Sequence, residues 1–218
     1  MTKKEVIERT ITFVKKMLAG AEGGHDWFHV ERVYKNALLI AKDENVDIFI
    51  VSLGALLHDI ADAKFYDGDE SVGPKLARQF LEKQKVKEVV IAHVENIIKH
   101  ISFKMSLSNE EKFSSPELAV IQDADRLDAI GAIGIARCFN YGGFKNRALY
   151  DTEVSPNLNM TKEEYKKSIA PSINHFYEKL LLLKDKMNTK SAKKIAIGRH
   201  NYMQFFLQQF NDEINGLK

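Results

Sequence analysis

The stretch DIFIVSLGALLHDI, residues 47–60, decides the fold of this chain. It is apolar nearly all round, so no face of it can be turned to water, and it is expected to be a central buried helix. Its β-branched residues would suit a strand, but its length and its Ala- and Leu-rich second half favour helix. The stretch closes on His58 and Asp59. An ionised carboxylate at the end of the most apolar segment is costly unless it is paired or bound to a metal. Neighbours on a helix point about 100° apart, so both side chains reach one ion only where this helix packs against others.

The flanking segments repeat the helical spacing. Residues 2–19 place Ile7, Ile11, Val14 and Leu18 on one face, and Gly20 follows as a stop. Asp26 is a natural N-cap for a helix over about 27–43, with Val30, Val33, Ala37, Leu38 and Ala41 inward. The segment ADAKFYDGDE after the apolar helix is expected to be an exposed loop. Helices follow over 72–83 and 86–100. Another opens near Pro116 and carries AVIQDADRLDAIGAIGIAR without interruption. Residues 138–160 mix Gly, Asn and aromatics and are expected to be a long irregular loop, with room for a small hairpin. Thr161 and Glu164 form a capping box for a long helix to about 187, bent at Pro171, and a last helix spans about 190–213.

No stretch alternates with period two, and only four prolines interrupt the chain. The expectation is an all-α single domain over residues 1–218. Its metal-binding core would cover about 20–135, its active-site loop 138–160, and its C-terminal helices 161–213 would pack on that core.

Composition narrows the function. The 218 residues are 44% hydrophobic, enough for an ordered core. A formal net charge of +2 gives no whole-molecule argument for a nucleic-acid polymer as partner. The single cysteine, Cys138, rules out an internal disulfide and a thiolate zinc site, and points to a reducing compartment. The N-terminus has no signal-peptide core, and the apolar run 48–57 is shorter than the roughly 20 residues that cross a bilayer. A cytoplasmic protein with no membrane partner is expected. No GxxxxGK[ST], GxGxxG, GxSxG or HExxH occurs, which removes P-loop, Rossmann, α/β-hydrolase and zincin readings.

The histidines and aspartates carry the chemistry. His25 and His29 lie four apart and can share a helix face. Asp123, Asp125 and Asp128 crowd a mostly apolar helix, where three carboxylates repel one another unless cations intervene. Two imidazoles and two carboxylates from three helices make a mixed N/O donor set, better suited to Mn²⁺, Fe²⁺, Ni²⁺, Co²⁺ or Zn²⁺ than to Ca²⁺. His93 and His100 lie seven apart on one face. They are either core histidines, phosphate donors, or ligands of a second metal. Lys64, Arg126, Lys145 and Arg147 are candidates to neutralise phosphate charge. Tyr202, Phe205, Phe206 and Phe210 form a stripe that suits the core or a homodimer contact.

The ordered set His29, His58-Asp59, Asp125, with the words HDWFHVERV at 25–33, LLHDIADAKF at 56–65, HISF at 100–103 and DADRLDAIGAIGIAR at 123–137, resembles the HD-domain superfamily of metal-dependent phosphohydrolases. The chain is similar to its small bacterial members, some of which are nucleotide pyrophosphatases. The resemblance covers residues 20–150 well and the C-terminal helices loosely. It implies one divalent metal (Mn, Ni, Co, Fe, Zn or Mg) held by His29, His58, Asp59 and Asp125, with Asp123 or Asp128 as the alternative to Asp125. It implies that Asp62 orients or deprotonates the attacking water. The expected substrate is a small phosphorylated molecule, a nucleotide. Lys64 would act at the phosphate, aided by His93, His100, Arg126, Lys145 and Arg147. Two other classes remain: a regulatory module that binds metal and nucleotide without turnover, and a two-iron oxygenase.

Overall fold

In a computed structural model of the chain, residues 1–21, 26–61, 69, 71–101, 113–161, 164 and 167–218 are described. Every regular element among them is helical, and they contain no strand. The chain divides into two compact units, Met1–Asp125 and Arg126–Lys218.

The first unit is built around the apolar stretch. Helix α1 (Lys3–Met17) starts in a capping box: Glu5 N–H donates to Thr2 Oγ1 at 3.2 Å, and Thr2 N–H donates to Glu5 Oε2 at 2.8 Å. Helix α2 (Trp27–Ala41) is capped by Asp26. Helix α3 (Ile48–Leu57) buries every residue from Phe49 to Leu57 except Ile50, and it contacts α1, α2 and α5 (Glu88–His100). Leu53, Leu56 and Leu57 are fully buried there, beside Val14, Val30, Leu81 and Val94. Helix α4 (Val72–Lys83) supplies Leu81 and packs on α5. The loop expected after α3 falls largely outside the described residues.

Helix α6 (Pro116–Asp128) meets α3 at two points. Asp47 N–H, at the start of α3, donates to Glu117 Oε1 at 3.0 Å. A Cβ at Gly54, in mid-α3, would lie 2.6 Å from Ile121 Cδ1. Beyond the ends of these contacts stand His58 and Asp125. The contacts ascend together in both helices, so the two run in the same sense and deliver those side chains to one end.

Three expectations for the second half need correction. The uninterrupted helix through AVIQDADRLDAIGAIGIAR is two helices, α6 and α7 (Gly131–Phe144). Between them Ile130 is extended, at φ −129° and ψ 165°, and Gly131 takes φ +78°, a left-handed conformation that a side chain resists. The irregular segment therefore begins after Phe144 rather than at Cys138. It holds no hairpin; instead Ser172 N–H and Ile173 N–H donate to Ala148 O and Leu149 O at 2.9 and 3.2 Å. The Thr161–Glu164 capping box is present, with bonds of 2.7 and 3.2 Å. The long helix behind it is not. Residues around Pro171 are irregular, and the chain resumes as a short α8 (Asn174–Glu178) and a 3₁₀ segment (Leu180–Lys186). Proline lacks an N–H and turns its predecessor away from the helical region, which breaks rather than bends this segment.

Helix α9 (Lys190–Ile214), capped by Thr189, packs on α7 and the 3₁₀ segment. The aromatic stripe on it divides. Phe206 and Phe210 join Phe139 and Phe176 with ring centroids 5.7–6.1 Å apart, whereas Tyr202 and Phe205 are exposed. Asp128, buried, accepts from Arg137, and Arg199 donates to Leu127 O.

Two outcomes are expected of the second unit. Gly131→Ala forces the left-handed φ on a side chain and brings it to 3.0 Å from Arg199 Cβ. It should cost about 1–2 kcal/mol, read as a Tm lower by about 3–6 °C in thermal melts. Burial first, then the charges of Lys179 and Arg147, push the His175 imidazole from 6.5 down to about 4. As pH falls, the unfolded chain therefore takes up this proton before the folded one does. The fold keeps its full stability above pH 6.5 and loses it progressively toward pH 4. Melting curves between pH 7.5 and 4.5 should show Tm falling, with a shallower fall in His175→Gln; equal slopes would refute this origin.

Candidate metal centre

The first unit brings together His29, His58 and Asp125. Each offers one ligand atom, and the three atoms lie within 4.8 Å of one another.

His29 stands in the first turn of α2 because the Asp26 carboxylate caps that turn, accepting from His29 N–H at 2.8 Å. Its ring is buried, and Nε2 lies 3.5 Å from Asp125 Oδ1. That is long for a hydrogen bond. His58 terminates α3, and its Nδ1 donates back to Ala55 O at 2.8 Å. This fixes the tautomer with the proton on Nδ1 and leaves the Nε2 lone pair for a ligand. The two imidazoles meet edge to face with centroids 5.5 Å apart. Asp125 is the more open member, its side chain 45% exposed.

The donor set fits a divalent ion. Nitrogen and carboxylate ligands stand about 2.1 Å from such a metal, hence at most about 4.2 Å from one another. The three atoms, all within 4.8 Å of one another, are near that limit. Neutral imidazoles and one carboxylate suit a borderline transition ion better than a calcium site, which takes six to eight oxygens.

The remaining candidates fall into separate groups. Asp59 follows His58 in the turn after α3, half-buried, and is not in the 4.8 Å cluster. Asp62, Lys64 and His25 lie outside the described residues. Of the alternatives to Asp125, Asp123 is fully buried and Asp128 is paired with Arg137. His93 Nε2 lies 3.0 Å from Ser115 Oγ and 3.5 Å from Glu117 Oε2. Because one ring nitrogen faces both groups, this is no nucleophile–base–acid relay, which needs the two ring nitrogens to act in turn. His100 Nδ1 donates to Asn96 O at 2.8 Å. Phe113 lies against both rings, at 5.5 and 5.6 Å.

Arg126, Lys145 and Arg147 belong to the second unit. Arg126 donates to Lys186 O at 2.8 Å, and Arg147 donates to Ser168 O at 2.7 Å while covering the Tyr141 ring at 5.5 Å. Lys145 covers Phe144 at 5.0 Å. Burial pushes the Cys138 thiol up to about 12, so it is a neutral thiol and donates to Ser172 O.

Sequence reasoning does not single out Ser115 and Glu117. Ser115 caps α6, accepting from Leu118 N–H at 3.0 Å, and Glu117 is buried. The pattern Ser-Pro-Glu at a helix start carries the capping signal, but the partners of Glu117 are distant in sequence.

A family model for the HD domain matches residues 27–130. YpgQ of Bacillus subtilis, an uncharacterized protein, is 37% identical over 214 residues, 96% of this chain and 94% of that one. A crystal structure of YpgQ in complex with ADP superposes with a TM-score of 0.75 and 33% identity, covering 97% of this chain and 100% of that one. The crystal structure of an HD-superfamily hydrolase from Bacillus thuringiensis has a TM-score of 0.79 and covers 98% of this chain and 99% of its own. Sharing 45% of its residues with that hydrolase, the chain belongs to the HD superfamily and is itself a hydrolase.

Proposed function

We propose that this hydrolase is a metal-dependent phosphohydrolase acting on a nucleotide, with His29, His58, Asp59 and Asp125 holding one divalent ion. The observation that carries the reading is the buried His29 imidazole facing Asp125 and His58 with its Nε2 directed at the cluster. A buried imidazole nitrogen 3.5 Å from a carboxylate oxygen, with a second imidazole beside it, makes a donor set that a shared cation fits. The nucleotide is supported by YpgQ, which was crystallised with ADP.

When bound, the ion supplies Lewis acidity at a phosphoryl oxygen and an activated water. The chain supplies the rest. His58, its tautomer set by Ala55 O, keeps its lone pair toward the ion. Asp62 takes the proton of the attacking water. Lys64 balances charge on the phosphoryl oxygens. His100, whose Nδ1 is already committed to Asn96 O, faces the phosphate through Nε2. His93 contributes less as a donor, because its Nε2 is engaged at the start of α6. A nucleoside triphosphate split to monophosphate and pyrophosphate is the sharper form of the proposal, and monophosphate hydrolysis the alternative.

The test is a panel of nucleotides and other phosphate esters with purified protein, reading phosphate and pyrophosphate separately. Turnover should appear with added Mn²⁺, vanish with EDTA and return on readdition. His58→Ala should reduce it roughly a hundredfold or more. Metal analysis should give one ion per chain. Metal and nucleotide binding without turnover would favour the regulatory module, and two irons per chain with oxygen uptake would favour the oxygenase.

A further inference from the structure

We propose that Glu117 is a positioning residue for the metal centre: it locks the start of α6 to the start of α3 and so sets the spacing of Asp125 and His58 at their far ends. The inference rests on reading that cluster as a metal site.

Glu117 is a carboxylate only 8% exposed, in the first turn of α6. Burying it is costly unless every oxygen is served. Oε1 accepts the Asp47 N–H at 3.0 Å, and Oε2 lies 3.5 Å from His93 Nε2. Asp47 is the N-cap of α3, its own carboxylate accepting from Phe49 N–H at 2.7 Å and Ile50 N–H at 3.4 Å. The Glu117 charge therefore sits between two helix N-termini, those of α3 and α6, whose partial positive charges both favour it. His93 adds α5 to the junction and also contacts Ser115, the α6 cap.

The consequence lies at a distance. Asp125 is eight residues beyond Glu117 on one helix, about 12 Å away. His58 closes the helix that Asp47 opens. Between them Gly54 meets Ile121, a contact that sets how closely the two helices approach, while the polar end ties their positions along the axes. A slide of even one ångström moves Asp125 against His58 by a large part of the tolerance of a ligand set whose atoms now span 4.8 Å. Glu117 touches no ligand, so its effect passes through helix register alone.

The experiment compares Mn²⁺ affinity, by titration calorimetry, in the full chain carrying Glu117→Ala, Glu117→Gln, or Gly131→Ala. The last lies in the other unit and serves as a control for loss of stability. Glu117→Ala should weaken Mn²⁺ binding 10–100-fold, the range seen when groups supporting metal ligands are removed. Glu117→Gln, which keeps an oxygen for Asp47 N–H, should recover most of it. Gly131→Ala should lower Tm and leave affinity unchanged. In metal-free protein, the His29 and His58 ring C–H resonances should shift in Glu117→Ala and stay in place in Gly131→Ala. Affinity within twofold of wild type in Glu117→Ala, or an equal loss in Gly131→Ala, would overturn the inference. If wild type binds no Mn²⁺, the metal reading fails, while unmoved ring resonances in Glu117→Ala would overturn the clamp and shifted ones would sustain it.

Discussion

A side chain at Gly54 would come within 2.6 Å of Ile121 Cδ1 and 3.3 Å of Ile97 Cγ2, and that close approach governs how α3, α5 and α6 meet. Helix α3 is buried almost throughout, so it cannot rotate to relieve a clash without exposing apolar surface. Its partners must come to it. Once they do, the last residue of α3 and the third turn of α6 share one end of the first unit, and the first turn of α2 closes over them. The approach of His29, His58 and Asp125 is thus a result of core packing. These histidines and this aspartate are carried by helices that apolar contacts bring together.

Polar groups in the same region are placed by the accounting that burial demands. Asp26 is spent on the first turn of α2, and this fixes where His29 begins. The Ala55 carbonyl at the open end of α3 takes the Nδ1 proton of His58 and thereby sets which nitrogen is basic. Asp128 and Arg137 neutralise one another within the second unit. Of the three carboxylates in DADRLD, Asp125 is the most exposed, whereas Asp123 and Asp128 are buried. The alternation of buried and more open positions along the helix separates the three.

The second unit follows different rules. An aromatic cluster of Phe139, Phe176, Phe206 and Phe210 stands beside its buried aliphatic residues, and its chain path is irregular where glycine and proline demand it. A helix pattern read through AIGAIG overlooks the left-handed φ that Gly131 adopts, because helical periodicity continues across the break. The stripe on α9 shows the same limit: Phe205 and Phe206 are neighbours in sequence, yet one is exposed and the other lies among rings.

The helical class, the central place of residues 48–57, the caps at Asp26 and at Thr161 with Glu164, and the family were all legible in the chain, since each is a local pattern of spacing, capping or motif. His29, His58 and Asp125 were legible as a set through their order and flanking words. Their approach to within 4.8 Å was decided by tertiary structure, as were the separation of Asp123 and Asp128 from them and the junction of Glu117 with Asp47 and His93. These depend on which helices touch, and at what register. Sequence periodicity gives the face a helix buries; packing at Gly54 and the polar junction of Glu117 with Asp47 settle which residue of another helix that face meets.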